Sequence, residues 1–142
     1  MRALLDVNVL IALFDEEHVH FERVRRWWAA DTSDDWASCP LTQNGFLRII
    51  SQPSYRNPVS LSLAREFLER QIGQTDHAFW PDDISLLDPA RFDSQLNVGP
   101  RQLTDVYLLG LAVNNHGRLA TLDRGIPAGA VRGAGAESLV VI

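Results

Sequence analysis

The sequence contains no lysine, since all 13 of its basic residues are arginine. A Walker A phosphate loop needs a lysine, and so does catalysis through a Schiff base, so both kinds of site are excluded. The single cysteine, Cys39, excludes an internal disulfide and a cysteine-based zinc site, and the four histidines lack the spacing of metal ligands. Chemistry that depends on carboxylates remains open.

Long hydrophobic runs are absent as well. No apolar stretch approaches the ~20 residues that span a bilayer, and Asp6 interrupts the N-terminal apolar residues before a signal-peptide core forms. We therefore expect a cytoplasmic protein that does not contact a membrane. With 142 residues, 46% of them hydrophobic, the chain is long enough for one buried core, and we expect a single domain over residues 1–142.

The net charge is −5, from 18 acidic and 13 basic residues. This acidic total argues against a protein whose main task is to coat nucleic acid, because contacts to phosphates come mostly from basic side chains. Individual arginines can still hold a phosphate backbone through bidentate hydrogen bonds.

Short apolar runs alternate with amphipathic segments along the chain. The apolar runs have the length of buried strands, and the amphipathic segments repeat their apolar residues every three or four positions, as helices do. This alternation predicts an α/β domain with a central parallel sheet flanked by helices on both faces. The predicted strands are residues 2–5, 35–39, 77–80, 84–87, 118–122 and a buried 139–142, and the predicted helices are residues 7–14, 18–30, 40–50, 61–72 and 103–115.

Three aspartates are predicted to meet at one edge of this sheet. Asp6 closes the first strand, Asp123 closes the strand over 118–122, and Asp105 lies in the first turn of the helix that opens at 103 or 104. The carboxyl ends of parallel strands and the amino ends of the following helices share an edge, where such folds place their sites. We expect Gln43, in the first turn of another helix, to face the same crevice. We expect Asn8, Thr104 and Thr121 to support these acidic side chains through hydrogen bonds.

A cluster of uncompensated carboxylates raises the pKa of at least one of them, so it is usually stabilised by a hard divalent cation with oxygen ligands. Mg²⁺ or Mn²⁺ fits this requirement. Taken singly, each acid has a structural explanation, because Asp105 suits a helix start and Asp6 and Asp123 suit turns. Because all three aspartates are predicted to lie at the same edge of the sheet, a metal site is the favoured interpretation.

Four stretches that carry these residues resemble PIN-domain nucleases, and more closely the VapC-type toxins of bacterial toxin–antitoxin pairs. They are LLDVNVLIAL at 4–13, PLTQNGFLRI at 40–49, LTDVYLL at 103–109 and LATLD at 119–123, in the order that the family has them. The resemblance implies a PIN-like fold, a divalent-metal-dependent endoribonuclease and inhibition by a small cognate antitoxin. It assigns the metal-binding acids to Asp6, Asp105 and Asp123.

One position departs from the family pattern. The glutamate that the family carries early in the second stretch falls on Gln43, and no Asp or Glu lies between Pro40 and Ile50 to replace it. An amide oxygen can accept hydrogen bonds or bind a metal, but it brings no charge and cannot act as a base. The sequence leaves open whether Gln43 is natural or an inactivating change.

The acids suggest a mechanism for RNA hydrolysis. Metal held by them would polarise a phosphodiester oxygen and lower the pKa of a bound water, which attacks phosphorus in line and leaves a 5′-phosphate and a 3′-hydroxyl. Arg48, Arg101 and Arg124 lie near the acidic edge in sequence and are candidates to guide the RNA backbone, although any one of them is also an ordinary solvated arginine.

The expected partners are an RNA substrate, a cognate antitoxin and a second copy of the chain in a homodimer. The first two helices and the helix over 61–72 are predicted to leave an apolar groove for docking, with Trp27 and Phe67 on its surface. Two alternatives differ from the nuclease: a catalytically impaired PIN-like domain that binds RNA or antitoxin, and a haloacid-dehalogenase-type phosphatase. The phosphatase is set aside because it requires a second acid where Asn8 stands and a lysine.

Overall fold

The computed structural model describes residues 1–32, 35–95 and 97–142. One five-stranded parallel sheet runs through them in the order β3-β2-β1-β4-β5, which confirms the predicted α/β class. The strands are β1 (Ala3–Leu5), β2 (Asp35–Ser38), β3 (Asp76–Phe79), β4 (Arg118–Thr121) and β5 (Leu139–Val141). The helices are α1 (Val7–Phe14), α2 (Phe21–Trp27), α3 (Pro40–Ile50), α4 (Leu61–Gln74) and α5 (Leu103–Asn114).

Hydrophobic side chains cover both faces of the sheet, because successive residues of a strand point to opposite sides. Leu4 packs on one face with α5 and with the segments 80–98 and 126–134. Ala3 and Leu5 pack on the other face, with α1, α3, α4 and Val24 of α2. The helices therefore flank the sheet on both sides, as the sequence predicts.

β1 lies at the centre of the sheet and sets the register that matters for the site. Leu4 pairs with Leu119 and Leu5 with Ala120 of β4. The backbone N–H of Asp6 then donates a 3.0 Å hydrogen bond to the carbonyl of Ala120. Asp6 consequently lies beside Thr121 at the carboxyl edge of the sheet.

A glycine permits α3 to approach the start of α1. A Cβ atom at Gly45 would lie only 2.7 Å from Cγ2 of Val7, the residue that follows Asp6. Real Cβ atoms do not come this close to another carbon, so a larger residue at 45 would force either α3 or the side chain of Val7 to shift. α3 itself begins at Pro40, whose fixed φ and missing N–H suit a first helical position.

Three predicted elements differ from the structure. Residues 84–87 were predicted as a strand but form part of a turn, in which Asp88 N–H donates to the Ser85 carbonyl at 3.0 Å while Ile84 packs on the core. The last strand was predicted to be buried, but it is half-buried to exposed, because it is an edge strand that pairs with β4 alone. The helix predicted over 18–30 begins at Phe21, after a turn at 18–20, and passes into a π-helical turn at Trp28.

Two further features concern surfaces. Within the described ranges, no helix has the length and apolar character needed to cross a bilayer. Trp27 and Phe67, predicted to lie on an exposed docking groove, are both half-buried. Phe67 packs edge-on against Phe14 with ring centres 4.8 Å apart, so it belongs largely to the core between α1 and α4.

Candidate active site

Asp6 joins the end of β1 to the start of α1. Its Oδ1 accepts a 2.7 Å hydrogen bond from the backbone N–H of Val7 and so caps α1. Its Oδ2 accepts a 2.6 Å hydrogen bond from the hydroxyl of Thr121. The side chain is buried, and this burial raises the pKa of Asp6, against the hydrogen bonds that lower it; the charge of Asp123 raises it further.

Asn8 and Thr121 tie the ends of β1 and β4 together. The side-chain amide of Asn8 donates to Oγ1 of Thr121 at 3.3 Å, while its Oδ1 accepts from the backbone N–H of Leu122 at 3.1 Å. Oγ1 of Thr121 also accepts from the backbone N–H of Asp123 at 3.1 Å. This buried hydroxyl therefore holds Asp6 and the backbone of Asp123 at the same time.

Asp105 lies in the first turn of α5, which follows a short 3₁₀ turn at Pro100–Gln102. The pKa of Asp105 is raised to about 6 by burial, by the charges of Asp6 and Asp123, and by a hydrogen bond with Asp123. The last two causes mean that the carboxyl group of Asp105 lies close to those of Asp6 and Asp123. The three predicted acids are thus electrostatic neighbours at one edge of the sheet.

Asp123 stands at the exposed end of the site. Its Oδ1 accepts a 2.7 Å hydrogen bond from the backbone N–H of Gly125, which orders the turn after β4. The side-chain amide of Gln102 donates to the Gly125 carbonyl at 2.8 Å, so the same turn is held to the start of α5.

The donor set suits a hard divalent cation in its chemistry, since it consists of three carboxyl groups whose charges raise the pKa of Asp6 and of Asp105. None of the ion pairs formed by residues 1–32, 35–95 and 97–142 involves Asp6, Asp105 or Asp123, so no arginine compensates them. As these side chains stand, however, no group of three or more His, Cys, Asp or Glu among the described residues is arranged to hold one ion. The negative charge of the site fits a cation, which Asp6, Asp105 and Asp123 would hold and which would offset their mutual repulsion.

Gln43 is held by residues on the β3 side of the site. Its amide nitrogen donates a 2.9 Å hydrogen bond to Oγ of Ser38, and that oxygen lies 2.7 Å from Nε2 of His77. Burial and the nearby Arg2 lower the pKa of His77, which favours a neutral ring. The hydrogen bonds found among the described residues do not join Gln43 to the three aspartates.

The remaining predicted site residues lie around this edge. Thr104 is exposed and lines a pocket at the amino end of α5. Arg101 and Arg124 are exposed on the two turns that carry Asp105 and Asp123. Arg48 is exposed on the last turn of α3 and borders the same surface depression as Gln43.

Sequence reasoning missed three polar residues that the structure brings to this end of the molecule: Ser38, His77 and Asp82. Ser38 ends β2, so the rule that located Asp6 and Asp123 at strand ends applies to it equally. Asp82 follows β3 after two residues of loop. Its carboxylate accepts hydrogen bonds from Leu41 of α3 and Tyr107 of α5. His77 carries no such signal, because it lies inside an edge strand.

Comparisons with known proteins agree with this architecture. The family model described as "PIN domain" matches residues 3–131. A protein of Mycobacterium tuberculosis named Ribonuclease VapC44 is 46% identical over 142 residues, covering all of both chains. Ribonuclease VapC38 of the same organism is 42% identical over 125 residues, covering 87% of this chain and 86% of that protein, and Ribonuclease VapC29 is 41% identical over 127 residues, covering 89% of each. The chain therefore belongs to the PIN-domain family, and the relatives to which it is similar in sequence include VapC ribonucleases.

Proposed function

We propose that this protein is a Mg²⁺- or Mn²⁺-dependent endoribonuclease and the toxin of a toxin–antitoxin pair. The observation that carries the proposal is the raised pKa of Asp105, which is caused in part by the charges of Asp6 and Asp123. A folded protein that keeps three carboxyl groups together without an arginine partner carries a destabilising repulsion, and a bound cation removes that repulsion. The names of the VapC relatives support RNA as the substrate.

Each acid has a separate part in this proposal. Asp105 and Asp123, whose charges act on each other in the metal-free protein, would hold the cation together with Asp6. When bound, the cation supplies a Lewis acid that neutralises phosphate charge and lowers the pKa of water. Thr121 keeps Asp6 oriented through its 2.6 Å hydrogen bond, and Asn8 keeps Thr121 in place.

Hydrolysis in this site would break the bond between phosphorus and the 3′ oxygen. Water forms the new bond to phosphorus, and the leaving 3′ oxygen takes a proton, which gives a 5′-phosphate and a 3′-hydroxyl. Arg101 and Arg124 flank the acids on exposed turns and would bind the phosphates on either side. Arg48 lies farther along α3 and would contact RNA that crosses this helix.

The proposed protein partners are a cognate antitoxin and a second copy of the chain. Leu61 and Leu63, at the start of α4, are 55% and 47% exposed and offer an apolar contact that the folded monomer leaves in water. We propose a homodimer, whose mass is measured by analytical ultracentrifugation. The antitoxin is sought as the product of a small neighbouring gene that co-purifies with this chain.

The second candidate function is a catalytically impaired PIN domain that binds RNA or antitoxin. A specific observation favours it: the amide of Gln43 is engaged with Ser38, at the position where the family places a fourth acid. An amide adds no negative charge to the cluster, so metal affinity is expected to be lower than in a chain with glutamate there.

Titration with Mn²⁺ separates the two candidates. The protein and its Gln43→Glu variant are followed by thermal unfolding and by cleavage of a labelled RNA, with Asp105→Asn as the inactive reference. Stabilisation that rises with Mn²⁺ concentration, together with cleavage that Asp105→Asn abolishes, supports the nuclease. Cleavage by Gln43→Glu alone supports the impaired domain. Equal Mn²⁺ affinity of the two forms would place residue 43 outside the metal site.

A further inference from the structure

An open pocket of about 290 Å³ lies at the amino end of α5, on the side that faces the loop after β3. Its lining residues come from the start of α3, from that loop and from the first turns of α5: Leu41, Asp82, Leu86, Leu103, Thr104 and Tyr107. The pocket is at the lower end of the size range of small-molecule sites, which suits one ring system.

The walls of this pocket are apolar side chains that folding leaves in solvent. Leu41 and Leu103 are each 40% exposed, although Leu is a residue that folding usually buries. Together with Leu86 and the ring of Tyr107 they give the pocket an apolar lining. A planar ligand that enters between them covers this surface and gains by its removal from water.

The polar part of the pocket is the carboxylate of Asp82. The hydroxyl of Tyr107 donates to its Oδ1 at 3.0 Å, and the backbone N–H of Leu41 donates to its Oδ2 at 3.2 Å. These two hydrogen bonds fix the orientation of the carboxylate between α3 and α5. A carboxylate has about four acceptor positions, so each oxygen retains capacity for one more donor. The pocket therefore selects a ligand that presents two donors side by side.

We propose that this pocket binds a guanine base of the RNA, next to the phosphate that the acids cleave. This inference rests on the proposed nuclease function and names its base preference. Guanine presents its ring N1–H and its exocyclic amino group on one edge, which matches the two oxygens of Asp82 as a bidentate pair. Adenine and cytosine place a ring nitrogen acceptor beside their amino group, and uracil places carbonyl oxygens on both sides of its N3–H, so each meets the carboxylate with a repulsive contact.

The position of the pocket explains why the base would lie close to the cleaved bond. Thr104 lines the pocket, and the next residue of the same helical turn is Asp105 of the acid cluster. A nucleotide whose base is held by Asp82 thus has its ribose and phosphate near the start of α5. Arg101, one turn earlier, is exposed and free to approach that phosphate.

The test measures binding without cleavage. Guanosine, adenosine, cytidine and uridine 5′-monophosphates are titrated into ¹⁵N-labelled protein in the presence of EDTA, with inorganic phosphate as the reference for phosphate binding alone. We expect the guanosine nucleotide to bind best and to shift the amide signals of Thr104 and Tyr107. Asp82→Asn should lower its affinity about tenfold or more. Leu103→Ala should weaken all four nucleotides, and Glu16→Gln, which removes an exposed charge elsewhere, should change none.

Tyr107→Phe keeps the carboxylate and the ring but removes one hydrogen bond to Asp82, so guanine preference should persist in that variant. If circular dichroism shows that Asp82→Asn is unfolded, the Leu103→Ala result and the signal shifts of the unchanged protein still test whether the pocket binds guanine. Equal binding of the four nucleotides, or shifts confined to other residues, would overturn the pocket proposal even if the protein cleaves RNA. Guanine preference in a protein that cleaves no RNA would overturn the nuclease proposal and leave the pocket standing.

Discussion

The amide of Gln43 donates a hydrogen bond to the hydroxyl oxygen of Ser38, and this contact fixes the direction of hydrogen bonding as far as His77. Ser38 accepts from Gln43 and is then free to donate its own proton to Nε2 of His77. A neutral histidine that accepts at Nε2 agrees with the lowered pKa of His77. A glutamate at 43 has no proton to donate, so it would reverse this chain.

Gln43→Glu is therefore expected to raise the pKa of His77. The hydroxyl of Ser38 must turn to donate to the new carboxylate, and His77 must then donate from Nε2, which the protonated ring does best. The pKa is measured from the His77 ring signals during an NMR pH titration. Gln43→Met, similar in size and without a hydrogen-bonding amide, is the matched control. An unchanged titration in Gln43→Glu would show that residue 43 does not act through Ser38.

Asp105 makes stability depend on pH. Its pKa is about 6 in the folded protein, against 3.8 for an ordinary aspartate. Between these values the folded state binds more protons than the unfolded state, so the free energy of unfolding falls as pH rises from about 4 through about 6. Asp105→Asn should remove this loss and be more stable than the parent above pH 6 by on the order of 1 kcal/mol, after allowance for the solvent exposure of Asp105.

Urea unfolding at pH 4 and pH 7.5 checks this prediction, with Glu16→Gln as a control that removes an exposed negative charge remote from the site. The advantage of Asp105→Asn should be confined to the higher pH. Addition of Mn²⁺ should reverse the order at pH 7.5, because only the parent gains by binding the cation. A stability difference that is equal at both pH values would contradict the raised pKa.

Thr121→Val tests the buried hydroxyl that serves both Asp6 and Asp123. The valine leaves Oδ2 of Asp6 without its donor and the backbone N–H of Asp123 without its acceptor. We expect a loss of about 1–3 kcal/mol in the free energy of unfolding. Thr121→Ser keeps the hydroxyl and loses one methyl group, which costs about 1 kcal/mol. If the hydroxyl orients Asp6 for metal binding, Thr121→Val should lose more metal affinity than Thr121→Ser. A similar loss in both variants would show that the hydroxyl does not orient Asp6.

Two glycine substitutions form a matched pair. Gly45→Ala places a Cβ atom 2.7 Å from Cγ2 of Val7 and should destabilise by about 1–3 kcal/mol. Gly73→Ala, in α4, meets nothing within 4 Å and should stabilise by up to about 1 kcal/mol, because alanine is the better helix former. Adding Val7→Ala should restore much of the loss caused by Gly45→Ala, as measured in a double-mutant cycle. Additive effects at 7 and 45 would mean that the two side chains do not meet.

Arg101→Ala and Arg124→Ala should weaken binding of single-stranded RNA in EDTA. Each lost phosphate contact should also reduce the slope of log affinity against log salt by about 0.7. Arg65→Ala is the control, because Arg65 is exposed on α4 and already paired with Glu69 at 3.3 Å. Fluorescence anisotropy at several salt concentrations measures both quantities. Equal effects of all three substitutions would indicate general charge attraction instead of a defined path for the RNA backbone.

The position of the acids in the fold could be predicted from the sequence because it follows from topology. Asp6 and Asp123 end strands, Asp105 starts a helix, and a parallel sheet brings such positions to one edge. The Asp82–Tyr107 contact could not be predicted, since it joins a loop to a helix face through side chains that have no periodic pattern. The extra strand at 84–87 was a wrong prediction for a related reason, because the apolar character of Ile84 serves packing against α5 in place of strand pairing.

The neighbours of β1 in the sheet come from distant parts of the chain. Asp6 and Thr121 are in contact across 115 positions of sequence. During synthesis β1 can therefore pair with β4 only after β4 has been made. A ribosome-bound fragment that stops before Arg118 cannot assemble the acidic edge. Any chemistry of these acids is therefore withheld from the nascent chain until β4, which begins at Arg118, and Asp123 after it have been made.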